Sequence, residues 1–377
     1  MSTEAERETI ALEGPILVIG AGLIGGSIGM ALAHAGLDVL VRDSSPGTTL
    51  LACELGAGRQ EEGGDSPQLV VVATPPDVSA RIVLEALEEF PEAYVLDVAS
   101  VKQHIAEEIL AGARARGLDS SRYVGTHPMA GREVAGVVAA RGDLFRGRAF
   151  VVVPTPATSP RSYALAKLLG IELGAAVVEI DPDAHDEAVA YVSHVPQIVA
   201  SLLAGRLTSA SEAALGLSGQ GLRDTTRIAA SDPRLWVEIL SANAGRIAPI
   251  LRALGDDLAE LTQALEVLNE PDPQPGSRAR IARAIASGND GVARIPGKHG
   301  GGAENFCKLT VLVPDEPGEL ARLLGDMGEE QINLEDLRLE HSLGQRVGLA
   351  HVSVMRADEQ RLTAMLEKRG WARAGTE

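Results

Sequence analysis

Aromatic residues, cysteines and positive charge are all scarce in this chain of 377 residues. Aromatics make up 3%, too few for a surface on which nucleic-acid bases stack. The cysteines, Cys53 and Cys307, lie far apart in sequence, which argues against a disulfide framework or a cysteine-rich metal site. A formal net charge of −18 repels phosphate backbones and anionic membranes, so an anionic substrate would need local cations.

We expect no targeting signal, because the first residues, MSTEAERETIALEG, are acidic and polar. Residues 16–33 form a charge-free run about as long as a membrane span, but 5 glycines within it favour another structure. We therefore expect a cytoplasmic protein with two reduced thiols, no bound metal, no membrane and no nucleic-acid partner.

Four segments differ in their hydrophobic pattern. Across residues 12–182, short apolar runs alternate with amphipathic stretches, which is typical of a doubly wound α/β sheet. Residues 183–292 show only helical spacing, with more apolar surface than one helical face needs, so we expect an all-helical substrate and dimerisation domain and a homodimer. Residues 293–305 are predicted to be a Gly-rich linker, and 306–377 a module ordered strand–helix–strand–strand–helix.

A glycine-rich loop, GAGLIG, follows the first apolar run and opens a helix. Gly20 permits a tight turn, Gly22 lets a pyrophosphate approach the backbone, and Gly25 allows close contact between helix and strand. Leu23 and Ile24 would offer free N–H groups to the anion at the helix N-terminus. The loop predicts a Rossmann-like dinucleotide site; the alternative is a glycine-rich turn without a ligand.

Asp43 ends the second strand, at the distance from the loop where an acid accepts hydrogen bonds from the adenosine ribose. It would repel a 2′-phosphate, which favours NAD over NADP. Arg42 beside it could accommodate that phosphate, stack on adenine or face solvent. Thr74 and Pro75 follow a later strand and should line the cofactor crevice.

Polar clusters between apolar runs carry a resemblance to a known family. The glycine loop, S-V-K, H-P-M-A-G, S-H-V-P and G-L-R-D-T-T-R-I-A occur in the order found in prephenate dehydrogenases, over about residues 12–290. The C-terminal segments VPDEPGEL and INLEDLRLE resemble an ACT domain, which implies a small ferredoxin-like α+β fold. The resemblance implies a tyrosine-biosynthesis enzyme that oxidises and decarboxylates prephenate with NAD.

His127 of the H-P-M-A-G motif is the candidate catalytic residue. Prephenate loses hydride from C4 while its hydroxyl loses a proton, and a neutral imidazole can accept that proton. Ser100 would orient His127 or the hydroxyl and fix the imidazole tautomer. The alternatives are a packed or capped histidine and an N-cap serine for the helix that follows Ser100.

Arg223 and Arg227 are the candidate ligands for the two carboxylates of prephenate. Guanidinium groups bind carboxylates bidentately, and residues four apart share a helix face. The resemblance assigns Arg227 to the ring carboxylate. It implies that Arg223 contributes only its positive charge. The alternative is solvent-exposed pairing with Asp224 or Asp232.

Residues His194 and Gln197 are predicted to lie at the side-chain end of the substrate pocket. Many relatives have S-H-x-P-H where this chain has S-H-V-P-Q, and His194 could equally be a packed core residue. Arogenate, or an amino-substituted prephenate, therefore stays open as the substrate. A non-catalytic sensor of NAD and amino acids is the remaining alternative, and retention of Ser100, His127 and Arg227 argues against it.

The C-terminal module has no catalytic cluster, so we expect it to regulate the enzyme. By resemblance, an amino acid would bind at the turn after its first strand, with contacts from Asp315, Gly318 and Asn333. Pathway logic names tyrosine as the effector. The alternative is a module that serves only dimerisation.

Overall fold

The computed structural model describes residues 10–132, 134, 136–272, 275–295, 306–341 and 347–374. Contacts divide the chain into two units. The first contains Met1–Thr208 and Thr226–Arg252, and the second contains Ser209–Thr225 and Ala253–Glu377. Residues 296–305 of the predicted linker lie outside the described residues.

The first unit is built on an eight-stranded sheet with the order β3-β2-β1-β4-β5-β6-β7-β8. The strands are β1 Ile16–Ile19, β2 Val39–Arg42, β3 Arg59–Gln60, β4 Leu69–Val72, β5 Tyr94–Asp97, β6 Tyr123–Pro128, β7 Ala149–Val153 and β8 Ala176–Glu179. Neighbouring strands pair in parallel except β6 and β7, which are antiparallel. This confirms the Rossmann-like doubly wound sheet.

Helices cover both faces of this sheet. They are α1 Leu23–His34, α2 Pro46–Glu54, α3 Pro76–Glu89, α4 Gln103–Arg116 and α5 Pro160–Glu172. Alternate residues of β1 enter two separate cores, Leu17 that of α3 and α4 and Val18 that of α1 and α5. Double burial explains why the strands are continuous apolar runs. The apolar run at 16–33 folds as β1 and α1.

The described residues after β8, as far as residue 295, form helices and turns and no strand. They contain α6 Pro182–Val189, a π-helical turn Ala190–His194, α7 Val195–Arg206, α8 Glu212–Gly216, α9 Gln220–Thr226, α10 Pro233–Ala242, α11 Ala244–Leu268 and α12 Ser277–Ala293. The stretch Pro182–Ser209 is long and apolar enough to cross a membrane by length and composition alone. Both units contain part of this region, and the predicted boundaries at 183 and 292 stay predictions.

The C-terminal module forms a four-stranded antiparallel sheet with the order β10-β11-β9-β12. Its elements are β9 Phe306–Pro314, α13 Glu319–Glu329, β10 Asp336–His341, β11 Val347–Met355, α14 Glu359–Lys368 and β12 Ala372–Ala374. The βαββαβ order is ferredoxin-like, as expected. Strand β12 was not predicted, because its 3 residues, Ala-Arg-Ala, carry no apolar alternation.

Candidate active site

The predicted cofactor and catalytic residues lie along one edge of the large sheet. Gly20 follows β1, Asp43 follows β2, Thr74 lies just after β4, Ser100 lies just after β5, and His127 lies near the end of β6. Because these strands run in parallel, their carboxyl ends meet at the same edge. Ligands of open α/β sheets bind at this edge, beside the point where the strand order reverses.

The glycine loop has the geometry of an anion site. Gly20 has φ +100°, and a Cβ there would lie 2.5 Å from the carbonyl oxygen of Ala73. A Cβ on Gly25 would lie 1.9 Å from the carbonyl oxygen of Gly20, whereas one on Gly22 would meet nothing within 4 Å. Helix α1 starts at Leu23 without a side-chain cap and without an acidic residue in its first turn. The free space at Gly22 and the uncapped N–H groups fit a pyrophosphate.

Asp43 and Arg42 define the corner where an adenosine ribose would lie. The Asp43 carboxylate accepts hydrogen bonds from the N–H groups of Ala21 at 2.8 Å and Ser45 at 2.9 Å. The Arg42 guanidinium binds Glu61 and, at 2.7 Å, Glu89. It also lies 5.5 Å from the ring centre of Phe90. Arg42 is therefore paired with two carboxylates, an arrangement that none of the three sequence-based alternatives for it described.

His127 is held by a second histidine that the sequence analysis missed. Its Nδ1 lies 2.9 Å from Nε2 of His185, and Nδ1 of His185 lies 2.8 Å from Oδ1 of Asp186. The Asp186 carboxylate also accepts the N–H groups of Lys102 and Gln103, at 2.8 and 2.9 Å. Although burial opposes it, hydrogen bonds from His185 and these N–H groups hold the pKa of Asp186 below its usual value.

Ser100 has neither of the two roles within the protein that the sequence suggested for it. His127 uses Nδ1 to contact His185, so Ser100 does not fix the tautomer of His127. The N-cap alternative is also wrong, because α4 begins at Gln103 and its first N–H groups are bound by Asp186 from α6. Contact of Ser100 with the substrate hydroxyl stays a prediction.

A buried ion pair lies below the site. Lys102 binds Asp97 through its ammonium, and the Tyr123 hydroxyl donates to Asp97 at 2.8 Å. Lys102 is 1% exposed and Asp97 is fully buried, and burial lowers the pKa of Lys102 despite the nearby carboxylates. Burial, followed by the charges of His185, Lys102 and His194, holds the pKa of His127 well below 6.5. His127 is therefore neutral near pH 7 and can accept a proton.

His194 is a packed and hydrogen-bonded residue, which was one of its two alternatives. It is 1% exposed, its Nδ1 lies 3.1 Å from Nδ2 of Asn243, and its ring meets Trp236 edge-on. Asn243 also donates to the backbone oxygen of Asp186 at 2.8 Å. Burial lowers the pKa of His194 to about 4, so the imidazole is neutral.

Gln197 is buried, with its amide near two serine hydroxyls. Its Nε2 lies 3.3 Å from Oγ of both Ser201 and Ser231. Ser231 lies close in sequence to Arg227, the predicted carboxylate ligand. Substrate contact by Gln197 stays a prediction.

The two candidate arginines do not share a helix face. Helix α9 ends at Thr226, and Arg227 begins a 3₁₀ turn, so the expected four-residue spacing on one helix fails. Arg227 belongs to the first unit and Arg223 to the second. Asp224 lies 3.7 Å from Arg338, and the sequence-based alternative did not foresee this pairing. The reason for the early helix end is not visible in the sequence motif.

The proposed effector turn has one of its expected features. Gly318, with φ +94°, precedes α13 as its N-cap. The amide of Asn333 donates to Glu335 at 2.9 Å. The backbone conformation at Gly318 therefore agrees with a turn that needs glycine, and the roles of Asp315, Gly318 and Asn333 toward a ligand stay predictions.

Two family models match the chain. A prephenate dehydrogenase nucleotide-binding domain matches residues 28–179, and a prephenate dehydrogenase dimerization domain matches residues 181–274. The probable prephenate dehydrogenase NovF of Streptomyces niveus is 35% identical over 361 residues, covering 94% of this chain and 98% of that relative. The prephenate dehydrogenase of Bacillus subtilis is 29% identical over 365 residues, covering 92% and 93%.

A solved structure has the same fold over most of its length. The crystal structure of Synechocystis arogenate dehydrogenase matches with a TM-score of 0.57 and 25% sequence identity. The match covers 73% of this chain and 99% of that one.

Proposed function

Because the chain belongs to the prephenate dehydrogenase family, we propose that it converts prephenate to 4-hydroxyphenylpyruvate with NAD. The observation that carries the proposal is the position of His127. A neutral, hydrogen-bonded imidazole lies at the same sheet edge as a glycine loop shaped for a dinucleotide. Hydride acceptance and proton acceptance can therefore occur side by side.

The proposed reaction needs a group that can hold the proton of the substrate hydroxyl, and His127 can do so. Nicotinamide, when bound, supplies the acceptor for the hydride of C4. His127 accepts the hydroxyl proton as that hydride leaves, which creates the C4 carbonyl. The ring carboxylate then leaves as CO2, its bonding electrons make the ring aromatic, and the resulting phenolate oxygen takes the proton back from His127 to give the phenol. Ser100 is proposed to contact the same hydroxyl.

Arogenate is the second candidate substrate, since it differs from prephenate only in its amino-acid side chain. The likeness to Synechocystis arogenate dehydrogenase favours testing it. An amino-substituted prephenate is the third. We expect NADH formation with prephenate to exceed that with arogenate in parallel assays of the purified protein. A higher kcat/KM with arogenate would transfer the proposal to that substrate.

We propose that Arg227 binds the ring carboxylate. Its 3₁₀ turn packs against α7, the helix that contains Gln197, and its side chain is exposed. Arg227→Ala should raise KM for prephenate about ten- to a hundredfold, since a charge-assisted hydrogen bond contributes about 1.5–3 kcal/mol. Arg234→Ala, an exposed arginine nearby, is the control. Equal KM values in the two variants would remove Arg227 from the site.

We propose NAD rather than NADP as the cofactor. Glu61 and Glu89 both bind the Arg42 guanidinium, and the Asp43 carboxylate accepts from the N–H of Ala21 beside the glycine loop, so a 2′-phosphate would meet net negative charge. NAD should exceed NADP by at least about tenfold in kcat/KM, which corresponds to about 1.4 kcal/mol for one repelled charge. The double variant Glu61→Gln/Glu89→Gln frees Arg42 and should narrow the ratio. Equal use of both cofactors by the unaltered protein would contradict the proposal.

We propose a homodimer assembled through the helical region, in the cytoplasm. Large apolar side chains of this region stay exposed in the single chain, among them Tyr191 at 59%, Val192 at 67% and Leu202 at 65%. They fall within the match to the dimerization domain. A second copy would remove this surface from water, whereas a monomer would leave it exposed.

We propose that the C-terminal module senses tyrosine at the turn around Gly318, with Asp315 and Asn333 as contacts. The glycine conformation and the N-terminus of α13 suit a backbone that binds an amino-acid carboxylate. Tyrosine should inhibit the full chain but not a chain ending near residue 297, with a coupling of about 1–3 kcal/mol. Equal inhibition of both would place tyrosine in the active site instead.

A further inference from the structure

Three side chains form a hydrogen-bonded row that starts at the site. His127 contacts His185 at 2.9 Å, and His185 contacts Asp186 at 2.8 Å. His185 is 2% exposed and Asp186 is 3% exposed, so water does not replace either contact readily. A second buried imidazole behind the candidate base is more than packing requires, because it introduces another polar group that must be satisfied.

The row fixes the position of each proton. Asp186 accepts two backbone N–H groups, so its carboxylate is ionised and can only accept from His185. When its imidazole is uncharged, His185 therefore has its proton on Nδ1 and an acceptor at Nε2. It follows that Nδ1 of His127 is the donor to His185, and that Nε2 of His127 has a free lone pair.

The surroundings of His127 disfavour a positive charge on its imidazole. The Lys102 ammonium lies close to it, and Lys102 itself is already compensated by the Asp97 carboxylate. His194 is a further neutral imidazole, tied to Asn243. The Asp186 carboxylate, in contrast, contacts His185 directly, so a charge on His185 meets its counter-ion at hydrogen-bond distance.

We propose that His185 is a positioning residue that holds His127 in its Nδ1–H form and takes that proton when His127 accepts the substrate hydroxyl proton. The inference rests on the proposed function, and it assigns Asp186 the role of counter-ion. The O–H bond of the substrate breaks and an Nε2–H bond forms on His127. The Nδ1–H bond of His127 breaks and an Nε2–H bond forms on His185. The charge of the row increases by one proton and no electrons move within it.

The row returns to its starting state when the product forms. Loss of CO2 leaves a phenolate oxygen, which takes the Nε2 proton of His127, and His185 gives its Nε2 proton back to Nδ1 of His127. The proton taken from the substrate hydroxyl thus returns to the phenol, and no net proton is released. Asp186 stays ionised throughout, so it need not accept a proton.

The variant His185→Gln distinguishes two roles of His185, which are taking the proton of His127 and only accepting a hydrogen bond from it. The Gln carbonyl can still accept from Nδ1 of His127 but cannot take the proton, and His185→Phe removes both abilities. We expect single-turnover NADH formation to fall about a hundredfold or more in both, a loss within the range of proton-transfer catalysis, with KM for prephenate little changed. His104→Gln, an exposed histidine on α4, is the control. A wild-type rate in His185→Gln would overturn the proposal.

Two further measurements keep the test independent of folding and of substrate choice. The rate constant of the hydride step should depend on the deuterium fraction of the solvent. This dependence should be curved in the wild-type enzyme, in which two protons move, and linear in His185→Gln. A linear dependence in both would contradict the relay. Nitrogen-15 chemical shifts of the wild-type enzyme without substrate should show His127 protonated at Nδ1. Protonation at Nε2 would overturn the inference even if prephenate proved to be the wrong substrate.

Discussion

Replacing His127 by asparagine is expected to lower kcat by about two to four orders of magnitude, the range typical of a lost general base. Asparagine can accept a hydrogen bond from the substrate hydroxyl but cannot remove its proton. Binding should change little, because the residue proposed to bind the ring carboxylate is Arg227 and not His127. Steady-state NADH formation against prephenate concentration measures both quantities.

The pH dependence of activity is a second test of His127. Burial and neighbouring charges hold the pKa of His127 well below 6.5, so the base stays neutral as the pH falls through 6.5. Activity that depends on neutral His127 should persist there and decline only at lower pH. His104→Asn, on the exposed face of α4, should leave kcat unchanged. Turnover of the His127→Asn variant at the rate of this control would remove His127 from the mechanism.

Replacing Lys102 by methionine is expected to lower the free energy of unfolding by about 3–5 kcal/mol. Methionine matches the shape of the stem but leaves the Asp97 carboxylate buried with its charge uncompensated, apart from the Tyr123 hydroxyl and a backbone N–H group. Urea denaturation at fixed protein concentration measures the loss. The concentration must be fixed because a dimer gains stability by mass action.

A second variant tests whether the loss of stability comes from the uncompensated charge of Asp97 or from the change in side-chain volume. Lys102→Met/Asp97→Asn removes both charges and should recover a substantial part of the lost stability. Lys167→Met, an exposed lysine on α5, should change the free energy of unfolding by no more than about 0.5 kcal/mol. Equal destabilisation in the single and double Lys102 variants would show that packing alone is disturbed.

The sequence predicted those parts of the molecule whose signals are local. The buried strands and the glycine loop have one-dimensional signatures, since double burial demands continuous apolar runs and a tight turn demands Gly20. The sheet edge at which Asp43 and His127 lie follows from parallel strand order. The small sheet was predicted as well, except β12.

Contacts between distant segments were not predicted. Asp186 reaches the start of α4 from 83 residues further along the chain, and this displaces Ser100 from the role of cap. His185 lies in the segment IDPDAHDEAV, a polar cluster between apolar runs that could have been singled out on the same grounds as H-P-M-A-G. The end of α9 before Arg227 also departs from the four-residue helical spacing of the motif.

Product stoichiometry tests most directly whether this chain oxidises and decarboxylates prephenate. Purified protein, prephenate and NAD should yield NADH, CO2 and 4-hydroxyphenylpyruvate in equal amounts, and the His127→Asn variant should yield none of them at a comparable rate. NADH without matching CO2 would show another oxidation. Absence of NADH with both prephenate and arogenate would contradict the account.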